Sequence, residues 1–514
     1  MSDNNDFIKL VATLLASCML TGPVLADPWT PTGDMLLRQD VQLLADAGVL
    51  ASPVTTWPIT WATLAADLSQ VEWDDLGDLP DPTMAALLRL RRRLDDNQNL
   101  GGIQPNASVS ARTDPFWLRT FEDTPREENE IRAGVSWMGD RFAVRLQGAY
   151  TDDPLPSDQN WRMDGSYAAM VIGNHILSAG AIDRWWGPSW DNTLVLSNNA
   201  RPVGGFALER NVAKAFETKW LSWIGPWTYS FLWGFLGDDR EVPNSRLVAF
   251  RVGLRPFRSL EIGLSRAATW CGSGRPCDGE AFWDIVIGND NVGESGVTRG
   301  SDRSNQLAAI DARWHSPLGD APYALYTQWV ANDEVNGFPS QWFGQAGAEY
   351  WGELDWGLLA GSYVAHVEVS STICEFWENE PSYDCAYNHN VYRTGYRYER
   401  RALGAAADGD SIVFSAGLSI ADRNGHSWNG LVRWSNINRN GDNSERDLVH
   451  SVSSEELKTI GLHVSHSRSL ANDRFELGRI SVGLGYQHEE NEFTGGNDDD
   501  LLAFLQWTWD MQSR

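Results

Sequence analysis

Two periodicities divide the chain. From residue 27 to about residue 100, apolar positions recur at close to the 3.6-residue helical period. Leu36, Leu37, Val41, Leu44 and Ala45 form one stripe, with Asp34 placed to cap its start and Gly48 to stop it. Thr60 opens a second short helix carrying Trp61, Leu64, Ala65 and Leu68. Asp81 before Pro82 puts a capping residue ahead of proline at the first helical position and starts a third helix. This one runs through Leu87, Leu88 and Leu90 into the basic cluster Arg89, Arg91, Arg92 and Arg93. The cluster fits a C-terminal turn, where cations complement the helix dipole; contact with anionic lipid is the alternative. Residues 27–102 read as a small helical bundle.

After Asn99-Leu100-Gly101-Gly102 the period becomes two. Phe142, Val144 and Leu146 alternate with Arg141, Ala143, Arg145 and Gln147. Val248, Phe250, Val252 and Leu254 alternate with Leu247, Ala249, Arg251, Gly253 and Arg255. Leu260, Ile262 and Leu264 interleave with Ser259, Glu261, Gly263 and Ser265. Ile412, Phe414, Ala416, Leu418 and Ile420 do the same with Ser411, Val413, Ser415, Gly417 and Ser419. One apolar face and one small or polar face, over a length that crosses a bilayer as a tilted strand, suits a membrane β-barrel. A soluble sandwich also alternates.

The connections discriminate between the two. There are about eighteen such segments, and their connections alternate long and short, as in an outer-membrane barrel of even strand number. Short ones include Gly139-Asp140, Gly173-Asn174, Gly225-Pro226, Glu353-Leu354-Asp355 and the hairpin signal Asp422-Arg423-Asn424-Gly425. Long ones fall around 114–128, 152–165, 185–213, 238–244, 270–304, 332–341, 370–410, 438–455 and 489–499. The expected fold is therefore mainly β: an antiparallel transmembrane barrel over 103–514, preceded by the small helical bundle.

Composition sharpens this reading. The 514 residues carry a formal net charge of −28 and a pI near 4.6, which argues against binding the nucleic-acid phosphate backbone. The mean hydropathy of −0.36 hides a barrel, because only alternate residues face lipid. The 26 Trp suit aromatic girdles, and Trp137, Trp220, Trp329 and Trp507 lie near expected strand ends. Leu10 to Leu20 is the one sustained apolar run, and Val24-Leu25-Ala26 offers a cleavage site, so residues 1–26 read as a signal peptide. Leu15-Ala16-Ser17-Cys18 resembles a lipobox, which leaves lipoprotein cleavage as the alternative. Cys271 with Cys277 and Cys374 with Cys385 fall in long loops and read as disulfide staples of an exported protein. Neither pair has a His at zinc-finger spacing.

One segment carries candidate chemistry. Arg184, Trp185, Trp186 and Trp190 lead into Asn198, Asn199 and Arg201. Indole faces stack on the apolar sides of sugar rings, and Asn and Arg form forked hydrogen bonds to hydroxyls or carboxylates. The competing structural reading is a loop whose Trp residues pack into the wall or plug the lumen. Arg275, Trp377 and Tyr383 are further loop candidates. Asn436 to Asp447 mimics half an EF-hand loop but lacks its final Glu, so it reads as an exposed Asn/Gly loop. Asp498-Asp499-Asp500 reads as solvated charge before a strand. His463, Ser465 and Ser467 share a strand face, a coincidence that alternation supplies freely, and no acid partner can be assigned to them. No metal, cofactor or catalytic residue is expected.

The Trp-rich segment Gly180 to Pro202, with Pro28-Trp29-Thr30-Pro31-Thr32-Gly33-Asp34, the run Leu37 to Val49 and Pro53-Val54-Thr55-Thr56-Trp57-Pro58-Ile59, resembles the Wzi family of capsule assembly proteins. The resemblance implies an outer-membrane barrel of about eighteen strands with a periplasmic helical bundle. It further implies a lectin that holds capsular or exported polysaccharide on the cell surface and is not an enzyme. Partners would be that polysaccharide, outer-membrane lipid and the export machinery, with no nucleic acid. A passive porin is the second reading, with Arg145, Arg251, Glu261 and Arg433 lining a pore or pairing to close it. An outer-membrane hydrolase using Ser465 is the third.

Overall fold

The computed structural model describes residues 27–510 apart from 72–78, 99–101, 114–116, 153, 155–158, 281, 284–303, 317, 319–320, 336–337, 423–424, 440–449, 472–475 and 492–494. The signal-peptide reading, with its lipobox alternative, lies outside the described residues, as do Asn440, Gly441, Asp442 and Asp447 of the EF-hand-like loop.

The three helices form where the 3.6-residue stripe runs. Helix α1 is Met35–Asp46, and its Asp34 cap accepts the N–H of Leu37 at 2.9 Å. Helix α2 is Trp61–Leu68, capped by Thr60, and α3 is Asp81–Gln98. Leu37, Val41 and Leu44 pack with Leu64, Leu87 and Leu90 in one buried core. The arginine cluster is not a C-terminal turn, because α3 continues to Gln98. Arg89 instead grips Asp40 of α1 with two hydrogen bonds, at 2.9 and 2.6 Å, and Arg93 reaches Asp34 at 2.7 Å. Bidentate pairing of helix to helix is the work those side chains do.

Beyond the helices an 18-strand antiparallel barrel begins at Gln104–Arg112 and closes on its last strand, Gly496–Asp510. One strand is broken: Trp161–Arg162 and Tyr167–Ile172 pair in turn with the same neighbour, Phe142–Tyr150. The period-two pattern sets its faces. Phe250, Leu264, Phe414 and Leu418 point outward and stay exposed, whereas Leu247, Ala249, Arg251, Ser265, Ser415 and Ser419 point inward and are buried. An apolar outer belt around a polar lumen is the inverse of a soluble core, and it is what lipid demands of a barrel.

Loop parity holds with three exceptions. Residues 332–341 and 489–499 are not long loops. The strands Tyr323–Val335 and Phe338–Leu354 extend until only two residues separate them, and Glu476–Asn491 with Gly496–Asp510 leave four. Asp498, Asp499 and Asp500 therefore lie within a strand, where Asp499 accepts from Tyr486 at 2.6 Å. At the opposite, helix-bearing end, Gly225-Pro226 is only the close of a longer connection over 211–226.

The lumen is filled. Residues 52–57 leave the helical core and enter the barrel, where Thr56–Trp57 pairs antiparallel with Trp185–Trp186. Glu261 accepts the N–H groups of Val54 at 3.0 Å and Thr55 at 2.8 Å. Arg251 forks onto Asp311 at 2.6 and 2.9 Å and reaches the hydroxyls of Thr55 and Thr56. Arg433 holds Asp191, and Arg145 reaches Asp27 at 3.0 Å. The inward charges that would line a pore are thus the anchors of the N-terminal segment and of the loop after residue 181. Cavities of about 30 and 20 Å³ lie among the described residues of this packing, each with room for about one or two waters.

Arg251 is fully buried beside Asp311. Replacing it with Ala strands that carboxylate and frees Thr55 and Thr56. The expected loss is about 3–5 kcal/mol, read as a lower temperature at which the compact, fast-migrating species on a gel converts to the unfolded one.

Candidate functional site

The Trp-rich segment folds as a plug. Trp185 meets Phe121 edge-on at 5.5 Å, and its Nε1 donates to the carbonyl of Ser189 at 3.0 Å. Trp186 is wholly buried in the lumen core with Leu194, Leu247 and Phe343. Trp190 donates from Nε1 to Glu349 at 2.6 Å and stacks on His366, while its backbone N–H meets Glu368 at 2.6 Å. The guanidinium of Arg38 lies 4.3 Å over the Trp190 ring and donates to the carbonyls of Pro188 and Ser189. Burial lowers Arg38 to about 10, against the opposing pull of Glu368 and Glu349.

The other candidates of this segment are also committed inside the protein. Arg184 contacts Glu209 at 3.4 Å and Arg201 contacts Asp164 at 2.6 Å and also Glu127. Asn198 donates to the carbonyl of Phe121 at 3.0 Å and Asn199 to that of Ala402 at 2.9 Å. All seven residues are buried. The expectation of an open sugar-stacking face on Trp185, Trp186 and Trp190 is corrected to its structural alternative. The lumen offers these indoles more apolar contact than a loop surface could. The Ser189 carbonyl and Glu349 meet the N–H groups of Trp185 and Trp190, while that of Trp186 is buried without a partner among the described residues.

Arg275, Trp377 and Tyr383 lie at the loop end and are not part of the plug. Trp377 is 53 % exposed, yet it and Phe376 fold against Trp329 on the outside of the wall, with Phe376 stacked 6.1 Å from Trp329. Arg275 sits 5.7 Å over the ring of Tyr392, inside the loop closed by the Cys271–Cys277 disulfide. Tyr383, partly exposed, lies within the loop of the Cys374–Cys385 disulfide.

That second staple belongs to a lid, residues 372–411, laid over the plug. Tyr387 donates from its hydroxyl to the carbonyl of Leu194 at 2.8 Å and accepts the N–H of Ala405 at 2.9 Å. Arg397 forks onto Asp408 at 2.6 and 2.7 Å, and Ser197 donates to the carbonyl of Gly404 at 2.6 Å. Arg240 ties the lid to the neighbouring loop through the carbonyls of Gly395 and Arg397, both at 3.1 Å. Burial would raise Asp408, but Arg397 and His450 hold its carboxyl below the usual range. The lid's outer face is different in character: Arg393 and Arg400 are exposed, and Tyr383 and Arg401 are partly so, while Tyr398 packs inward against the lumen core. Arg393, Arg400 and Arg401 are not among the sequence candidates; their signal is the interleaving of tyrosine and arginine from Tyr383 to Arg401 in an otherwise acidic chain.

The hydrolase face resolves differently. Ser465 is bonded to Glu122, which also accepts from Asn429 at 3.2 Å. Burial raises the Glu122 carboxyl against these hydrogen bonds. His463 is wedged between Trp117 and Phe504. The cluster is part of the lumen packing.

Residues 99–499 match the family model for the capsule assembly protein Wzi. The chain belongs to the Wzi family of capsule assembly proteins. A Klebsiella pneumoniae relative, an uncharacterized 55.8 kDa protein in the cps region, is 27% identical over 472 residues, spanning 91% of this chain and 86% of the relative. Among solved structures, Escherichia coli Wzi superposes with a TM-score of 0.78 at 24% identity, over 96% of this chain and 100% of that one. That protein is described as an outer membrane protein involved in group 1 capsule assembly and as a carbohydrate-binding β-barrel. In this Wzi-family barrel the plug lies between two buried cores, with Trp185 packed in the helical one and Trp186 and Leu194 in the one shared with the lid.

The lid carries a titration of its own. Burial pushes the Asp410 carboxyl up to about 7; the Asp384 and Asp408 carboxylates add to the rise, while the backbone N–H of Asp384 opposes it. A raised carboxyl gives stability that is complete below its ordinary value of 3.8 and is lost as pH climbs through the folded value. The lid is therefore expected to resist proteolysis better at pH 6 than at pH 8, and Asp410→Asn to flatten that difference.

Proposed function

We propose that this chain is an outer-membrane protein that binds exported polysaccharide on the outer face of its lid and so anchors capsule to the cell during assembly. In this reading the apolar belt sits in the outer membrane after removal of the signal peptide. The long-loop end faces the exterior and the helical core faces the periplasm. The observation that carries it is the lid itself: its inner face is locked to the plug, so its outer face presents Arg393, Arg400 and Tyr383 on a rigid mount. Guanidinium groups fork onto sugar hydroxyls and carboxylates, and tyrosine rings stack on pyranose faces. Each contact is weak, but a repeating polymer meets many copies across the cell surface, and avidity multiplies them. Family membership and the carbohydrate binding described for Escherichia coli Wzi support the same reading. The role needs no turnover and no cofactor.

Binding of purified capsular polysaccharide to the isolated protein is the direct test. Arg393→Ala combined with Arg400→Ala should weaken retention about tenfold, the effect of losing roughly 1.4 kcal/mol, while leaving heat-modifiable migration unchanged. Deleting the gene should release polysaccharide into the medium while synthesis continues. Unaltered binding by the double variant and unaltered retention by the deletion strain would together sink the proposal.

A further inference from the structure

At the helix-bearing end, the connections between strands run from two to seven residues, with one exception of sixteen, residues 211–226. The base of this connection is fixed. The hydroxyl of Thr63 in α2 donates to the carbonyl of Asn211 at 3.1 Å and accepts the N–H of Ala213 at 3.1 Å. From there the chain turns away from the helices and onto the outside of the barrel. Lys214 bridges to Trp227, the first residue of the next strand, and Phe216 stacks on the Trp227 ring at 4.8 Å. Arg210 lies 3.9 Å over the same ring. Trp227 continues outward-facing contacts to Tyr229 and on to Phe250, so the connection joins the apolar outer wall without a break.

The tip of the connection leaves that wall with two indoles uncovered. A turn in which Leu221 and Ser222 donate to the carbonyl of Thr218 leads into a 3-10 turn, Ser222–Ile224. The latter is closed by the N–H of Ile224 on the carbonyl of Leu221 and that of Gly225 on the carbonyl of Ser222, and together the two turns set the positions of the indoles. Trp220 is 89 % exposed and Trp223 68 %, with Nε1 of Trp223 donating to the carbonyl of Trp220 at 3.0 Å. Lys214 and Lys219 are exposed beside them. The whole chain has four lysines, Lys9, Lys214, Lys219 and Lys458, so half of them stand on this one connection. Elsewhere, apart from Lys9 and Lys458, its cations are arginines, many of them spent on internal pairs; lysine is the compact, well-hydrated charge that meets a phosphate as a point contact.

Exposed indoles beside lysines, continuous with a lipid-facing wall, match the chemistry of a membrane interface. Tryptophan partitions to the headgroup level, and lysine stems snorkel from the apolar zone toward phosphate. We propose that residues 214–223 form an interfacial anchor that dips into the leaflet at the helix-bearing end, with Trp220 and Trp223 among the headgroups and Lys214 and Lys219 on phospholipid phosphates. The anchor rests on the outer-membrane reading above, and it ties α2 to the membrane surface through Thr63.

The test places a nitrobenzoxadiazole label at Ser222→Cys in the full chain, reconstituted in phosphatidylethanolamine and phosphatidylglycerol vesicles. Quenching is read from nitroxides near the headgroup, nitroxides deep in the acyl chains, and iodide in the water. A second label at Val432→Cys, an outward wall position, reports whether the barrel itself is inserted. The proposal expects Val432→Cys to be quenched by lipid nitroxide and Ser222→Cys to lose most of its emission to the headgroup nitroxide, with little loss to iodide. Adding Trp220→Ser and Trp223→Ser should reverse the Ser222→Cys result toward iodide. Lipid quenching at Val432→Cys, with Ser222→Cys open to iodide and untouched by nitroxide, overturns the anchor alone. So does headgroup quenching that survives loss of both indoles. Absence of lipid quenching at both labels overturns the membrane reading and the anchor with it.

Discussion

An 18-strand sheet closed on itself encloses more space than its inward side chains fill, and with an apolar belt on its outer face the polar side chains are turned into that space. Everything else in this molecule follows from how the lumen is occupied. Arg251, Glu261, Arg433 and Glu368 would each be a desolvated charge on a narrow wall. Each is instead met by a segment remote in sequence: Glu261 by Thr55 across 206 positions, Arg433 by Asp191 across 242. Buried charges of this kind contribute little net stability once desolvation is counted, but removing one partner is costly. Their effect is to specify one arrangement of plug and wall.

The plug in turn supports the lid. Tyr387 and Ser197 join the two through backbone carbonyls, so the lid's outer face inherits the rigidity of the lumen packing. Such a mount matters for a weak, multivalent ligand, because each contact made by a preordered side chain loses less to conformational entropy. The net charge of −28 sets a field that repels an anionic polymer at long range. Arg397 is neutralised by Asp408, but in the proposed function the outward Arg393, Arg400 and Arg401 oppose that field locally, within the distance over which salt leaves it unscreened.

Among the described residues, tryptophans gather in three places. Trp57, Trp185, Trp186 and Trp190 are buried in the lumen. Trp329 with Trp377, and Trp233 with Trp270, gather on the outer wall at the loop end. Trp227 does so at the helix-bearing end with Phe216. The two outer groups are girdles in the sense that the strand-end positions suggested. The lumen group is not, and nothing local separates it from the others: Trp185-Trp186 would look the same on a sugar-binding loop. Its placement is decided by Glu349, Glu368 and Gln328, which project from strands well over a hundred residues later.

Local pattern alone determined the helical stripe of α1, capped at Asp34, and the period-two strands with Phe250 and Phe414 outward and Arg251 and Ser415 inward. It also placed both cysteine pairs in long loops. These depend on interactions within a few residues or on which solvent faces a side chain, and such information is written in spacing. Only the tertiary structure decided that Arg89 and Arg93 pair with α1 and do not cap a helix end. The same is true of the strands around 332–341 and 489–499, which pair almost to their tips, and of the Trp-rich segment, which fills the lumen. Arg89 and Arg93 meet partners 49 and 59 positions away, and the Trp-rich segment meets strands more than a hundred positions later in the volume a closed barrel must fill; these contacts do not exist until the chain has folded.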